Sequence, residues 1–264
     1  MRMTPELQNE LLATANALAD AARAVILPYF RTPLATDNKD PAAFDPVTVA
    51  DRVAETAMRN ILATRRPDDA ILGEEFGAKS GTSGLTWVLD PIDGTRAFIS
   101  GAPSWGVLVG LNAGAAPVLG LIDQPYIGER FTGAFGQATL TTAQATRPIA
   151  TRHTPLAEAT LFTTFPEVGT PAERQGFEAV SARARLTRYG MDCYAYALLA
   201  MGQIDLVIEA QLNPYDVQAP IAVIENAGGI VTDWQGNPAH NGGRLLAAGS
   251  KALHAEALAI LRAY

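Results

Sequence analysis

Two aspartates, Asp90 and Asp93, close the apolar run that begins WVLDPIDGTRAFISG at residues 87–101. A buried carboxylate without a partner is strongly disfavoured, so a pair ending a core strand requires positive charge from elsewhere. Further acids stand where the chain changes direction. Asp51 ends DPVTVAD, residues 45–51; Glu74 and Glu75 follow the apolar Ala70 to Leu72; Asp216 sits in NPYDVQAP, residues 213–220. If they converge, they form an all-oxygen donor set of the kind that holds magnesium together with water and a substrate phosphate. Gly94, Thr95 and Arg96 precede Ala97-Phe98-Ile99, a possible helix start whose N–H groups could face that phosphate. Cations on one side and amides on the other would clamp a phosphate monoester for attack by water, with no covalent nucleophile required. Each acid also has a structural reading: Thr48 with Asp51 matches a capping box, Asp216 suits a helix first turn, and Glu74-Glu75 suits a solvated pair.

Other chemistries fit poorly. His153, His240 and His254 lack ligand-like spacing, and the single cysteine, Cys193, leaves no internal disulfide and no thiolate zinc cluster. A phosphatase with an aspartyl-phosphate intermediate would separate its aspartates by one residue, whereas Pro91 and Ile92 both intervene here. No segment carries the calcium-loop pattern of an EF-hand. The net charge of −7 over 264 residues argues against nucleic acid as a partner. Because acids precede any apolar block in MRMTPELQNELL and no apolar run reaches bilayer length, a cytoplasmic protein without a membrane association is expected.

The elements that must position these acids can be sketched from periodicity. Thr4-Pro5-Glu6 opens a helix to about Tyr29, residues 31–47 read as a loop, and a second helix runs from Thr48 to near Pro67. Strands are expected at 70–72, 105–111, 118–122 and 130–135, then helices near 172–182, 192–202 and 216–226 with strands at 204–209 and near 230 and 246. Lys251 to Arg262 reads as a final amphipathic helix. No repeat or long linker interrupts the chain, so one unit over 1–264 is expected, with lobes at roughly 1–145 and 146–264 sharing a core.

Taken together, GEE at 73–75, DPIDGT at 90–95, DPVTVAD at 45–51, and Asp216 followed by Asn226-Ala227-Gly228-Gly229 resemble the inositol monophosphatase superfamily over nearly the whole chain. The resemblance implies an α/β (α+β) fold layered as an α-β-α-β-α sandwich, and magnesium-dependent hydrolysis of small phosphate esters with roughly two or three ions per active site. It also implies a homodimer. By this resemblance Glu74, Asp90, the Ile92 carbonyl, Asp93, Asp216 and Asp51 fall on metal-site positions. Glu74 and Thr95, with Asp51, fall where the attacking water is activated, and Asp93, Gly94 and Thr95 line the phosphate. Two stretches, GLIDQPYIGERFTG at 120–133 and RYGMDCYAYALLAMGQIDLVIEAQLNPYD at 188–216, look like the histidinol-phosphate phosphatase branch. Inositol-directed members usually carry Trp where this chain has Tyr215. Asp192 and Glu209, with Arg188 and Asp216, would then contact substrate, an acid at Asp192 suiting the ammonium group of L-histidinol phosphate. Asp192 also reads as a helix cap, and Arg188 as the partner of a nearby acid.

Overall fold

The computed structural model describes residues 3–33, 36–38 and 46–264; Asp45 and much of the expected 31–47 loop lie outside them. In chain order the helices are α1 (Pro5–Ile26), α2 (Val49–Arg65), α3 (Thr95–Ile99), α4 (Pro171–Ser181), α5 (Asp192–Ala200), α6 (Pro214–Asn226) and α7 (Lys251–Leu261). The strands are β1 (Thr36–Asn38), β2 (Pro46–Thr48), β3 (Ala70–Gly73), β4 (Gly77–Lys79), β5 (Thr86–Asp93), β6 (Gly106–Asn112), β7 (Pro117–Gln124), β8 (Glu129–Ala134), β9 (Gln137–Thr141) and β10 (Thr146–Pro148). There follow β11 (Thr160–Thr163), β12 (Leu186–Tyr189), β13 (Leu206–Leu212), β14 (Ile230–Thr232) and β15 (Gly243–Ala248). One sheet has eight strands in the order β10-β9-β8-β7-β6-β5-β3-β4, and a second has five, β12-β11-β13-β15-β14.

Helices α1 and α2 pack on the outer face of the larger sheet, α5 and α6 fill the space between the sheets, and α4 and α7 cover the smaller sheet. The layers are therefore α-β-α-β-α, as the resemblance implied. Strand alternation sorts β6 between two cores: Val107, Val109 and Leu111 face α1 and α2, while Leu108 faces the space between the sheets. By length and composition α1 could span a bilayer. In this fold it is a core helix, burying Leu11, Ala15, Leu18, Ala22 and Ile26. Its Arg23 grips the fully buried Asp123 with two hydrogen bonds of 2.7 and 3.0 Å.

A close backbone approach sets the height of α6. Gly120 of β7 and Gly133 of β8 are paired neighbours beneath that helix. A Cβ at Gly120 would stand 2.1 Å from the Ala219 carbonyl oxygen, and one at Gly133 would stand 2.4 Å from the Val223 Cα. Only glycine lets helix and sheet meet main chain to main chain here.

Two sequence expectations need correction. The 31–47 stretch is not all loop, because Thr36–Asn38 pairs antiparallel with Pro46–Thr48. The short strands β4, β9, β10, β11 and β12 were not anticipated; each has at most five residues and forms by pairing that no local pattern announces.

Candidate active site

Residues three apart on a regular strand point to opposite faces, yet Asp90 and Asp93 meet. The pairing of β5 with β6 resolves this: Asp90 lies opposite Leu108 and Asp93 opposite Gly106, so β5 carries one extra residue. The bulge accommodates Pro91, which has no N–H to give a ladder, and re-aims the strand end. The Ile92 N–H donates to Asp90 Oδ1 at 3.1 Å, and the Thr95 hydroxyl donates to the Ile92 carbonyl at 3.1 Å.

Asp216 arrives from the first turn of α6, where its Oδ2 accepts the Asn213 N–H at 2.6 Å. One carboxylate oxygen each from Asp90, Asp93 and Asp216 lies within 4.8 Å of the others. Glu74, just beyond β3, joins them closely enough to hydrogen-bond and repel Asp90. Its turn is held from below by Glu55, which accepts the N–H groups of Glu75 and Phe76 at 2.7 and 3.3 Å and pairs with Arg59 at 2.7 Å. Asp51 is buried in a capping box, accepting the Thr48 N–H and hydroxyl at 2.8 and 2.6 Å. Asp51 is not among the residues lining the cavity. For both Asp51 and Asp216 the capping reading is therefore realised, and at Asp216 it coexists with membership of the acidic cluster.

The cluster opens into a cavity of about 580 Å³ walled by residues from both the larger and the smaller sheet. Gly94 (φ +83°) and Asp192 (φ +47°) both adopt left-handed backbone and pack so tightly that a Cβ on Gly94 would lie 2.7 Å from the Asp192 Cγ. Asp192 is the first residue of α5 and Met191 its cap, so the helix-cap reading of Asp192 is corrected. Ser104 donates to Asp192 Oδ2 at 2.7 Å, and the Cys193 N–H donates to Asp93 Oδ2 at 2.6 Å. Glu209 stands on the same wall, accepting from the Thr164 N–H and hydroxyl and from the Tyr196 hydroxyl. Arg188 lies elsewhere. It is exposed on β12, the edge strand of the smaller sheet, and is not among the cavity-lining residues. The resemblance of the 188–216 stretch carries no information on strand pairing, and β12 pairs with β11 alone.

Glu55, Ser104, Thr164 and Tyr196 were not anticipated. The start of α5 was the one available signal, since a helix beginning at 192 leaves the Cys193 N–H without a helical acceptor.

Among the described residues, no Lys or Arg comes within ion-pair distance of Asp90, Asp93, Asp192, Glu209 or Asp216. Burial, then repulsion from Glu74, Asp93 and Asp216, holds the Asp90 carboxyl well above the usual range. Burial followed by Asp192 and Asp216 does the same to Asp93. Burial, with help from Glu74 and Glu209, pushes Asp216 up to about 7 against the opposing Asn213 N–H. A partly buried set of hard, mutually repelling oxygens suits a hard divalent cation such as magnesium and is ill suited to soft metals. The residues present fit the group that the resemblance implied.

Comparison with known proteins accords with this geometry. The chain is 46% identical over 227 residues to the bifunctional phosphatase IMPL2 of Arabidopsis thaliana, a match covering 85% of this chain and 64% of the plant protein. It is 34% identical to the histidinol-phosphatase of Chlorobaculum parvum, covering 89% and 88% of the two chains. Its fold superposes on an inositol monophosphatase from Zymomonas mobilis with a TM-score of 0.86 and 41% identity, over 96% of this chain and 98% of that one. With the inositol monophosphatase family model also matching residues 7–264, the chain belongs to the inositol monophosphatase family and is a phosphatase.

Proposed function

We propose that this phosphatase is magnesium-dependent and hydrolyses L-histidinol phosphate to L-histidinol and phosphate. Glu74, Asp90, Asp93, Asp216 and the Ile92 carbonyl would hold the cations, which when bound supply phosphate neutralisation and Lewis-acid activation of water. Gly94 and Thr95 present backbone to the phosphate beside Asp93. The Thr95 hydroxyl donates a hydrogen bond to the Ile92 carbonyl, so its lone pairs are turned to accept one from the attacking water, and Glu74 would take the proton that this water loses. Asp51 acts through Thr48 and the start of α2 rather than by lining the cavity.

The observation that carries the substrate reading is Asp192. It is a cavity-wall carboxylate beside Gly94, bonded by the Ser104 hydroxyl through Oδ2 and with the Arg96 charge nearby but outside ion-pair distance, and it is suited to an ammonium group. The histidinol-phosphatase of Chlorobaculum parvum supports the same reading, and Tyr215 agrees with it. A second reading, inositol 1-phosphate, is favoured by the likeness to the Zymomonas mobilis enzyme. Phosphate release from the two esters at equal concentration, with and without magnesium, separates them. Faster turnover of inositol 1-phosphate would overturn the first reading, and turnover unaffected by chelation would remove magnesium. The family resemblance supports a homodimer, which sedimentation would check.

A further inference from the structure

The rim of the cavity carries an aromatic ring that no step above uses. Phe165 lines the cavity and is 45% exposed, although the residue before it is tied down. The tie is Thr164, whose N–H and hydroxyl both donate to Glu209 Oε1 at 3.0 and 2.5 Å. Glu209 Oε2 takes the Tyr196 hydroxyl at 2.7 Å. Both oxygens are thus engaged with protein, so Glu209 anchors the rim as well as walling the cavity. From the other lobe, Arg96 sets its guanidinium carbon 5.0 Å from the Phe165 ring centroid, a cation–π contact that bridges the mouth.

We propose that Phe165 is a specificity-determining residue whose ring is a stacking platform for a planar ring in the organic half of the ester, with Arg96 steadying it and Glu209 positioning it. This rests on the histidinol phosphate reading, because that ester carries an imidazole, a flat π system able to stack on a phenyl face. A saturated polyol ring offers only C–H and hydroxyl edges.

The test compares kcat/KM for histidinol phosphate and for the ring-free ester glycerol 2-phosphate in the full magnesium-loaded chain. Phe165→Ala should lower the ratio of the two by roughly five- to tenfold, the size of one aromatic contact, and Phe165→Tyr should restore most of it. Glu209→Ala should lower the same ratio through KM, and adding it to Phe165→Ala should change little further, because both act through one ring. An unchanged ratio in Phe165→Ala overturns the inference alone. Fully additive effects overturn the positioning role of Glu209. If the unaltered enzyme cleaves glycerol 2-phosphate but not histidinol phosphate, the substrate reading and this inference fall together.

Discussion

Glu55 and Glu209 hold loops on opposite sides of the cavity, and they are neutralised in different ways. Glu55 catches two backbone N–H groups of the turn that presents Glu74, and Arg59 balances its charge. Glu209 catches the Thr164 N–H and hydroxyl with help from Tyr196, and no guanidinium reaches it among the described residues. The contrast extends outward. Asp69, Asp123, Glu173 and Asp205 each meet an arginine at 2.7 or 2.8 Å, while among the described residues Asp90, Asp93, Asp192, Glu209 and Asp216 take hydrogen bonds from hydroxyls and backbone amides. Away from the cavity, buried negative charge is met by a guanidinium at ion-pair distance; among the described residues Asp90, Asp93 and Asp216 have no such partner, and Asp192 feels the Arg96 charge only from farther off.

The most forceful way to break this contrast is Asp93→Asn. It should reduce kcat by at least about 10²-fold, while the circular dichroism spectrum is unchanged and the Tm is equal or higher, since a like charge has been removed. Normal turnover in that variant would place the cavity acids in the structural class. The converse is Arg130→Ala, which leaves the fully buried Asp123 with Arg23 alone. The expected cost is roughly 2–3 kcal/mol, below the ~3–5 of a lone broken pair, read as a lower urea midpoint at constant m-value, with turnover per folded molecule nearly unaltered. A negligible midpoint shift would erase the distinction from the other side. On the substrate wall, Asp192→Asn should lower kcat/KM for histidinol phosphate by roughly ten- to hundredfold; equal kinetics would show that no ammonium contacts it.

The subtlest separation is in pH. Asp216 ionises near 7 in the cation-free fold against an ordinary value of 3.8. The folded state therefore binds more protons than the unfolded one across that interval, and the contribution of this group to stability falls as pH rises through it. Asp69, Glu173 and Asp205 behave oppositely. Burial pushes each up, but hydrogen bonds from Arg66, from Thr170 and Arg244, and from Arg152 outweigh it and leave them lowered. Their stabilisation is complete above the ordinary carboxylate range and is lost as pH falls below it. Magnesium should thus raise the Tm more at about pH 7.5 than at about pH 5, and chelation should reverse the gain. A magnesium effect independent of pH would mean the cation binds away from these acids.

Much of this arrangement was legible because acids at chain reversals carry local signatures. Thr48 with Asp51 is a capping pattern readable in four residues, Asp216 reads as an acid of a helix first turn, and the apolar run into Asp90 reads as a core strand. What could not be read is register. The bulge that brings Asp90 and Asp93 to one side exists only in the pairing with β6. A further irregularity, between Glu209 and Leu212, likewise exists only against β15. Arg188 shows the cost of this: its strand has four residues, alternates too little to betray a face, and ends up on an outer edge. Ser104 and Tyr196 reach their acids across 88 and 13 residues of chain, distances over which spacing carries no information.

The bare contact of α6 with Gly120 and Gly133 has a consequence for how such a site diverges. At these two positions no side chain separates helix from strand, so the height of α6, which carries Asp216, is pinned there by main chain rather than by the Leu, Val and Ile packing around it. Drift in the hydrophobic interior should therefore disturb the placement of Asp216 less than it disturbs the rest of the core, whereas the Phe165 rim, built on a loop, is free to change independently.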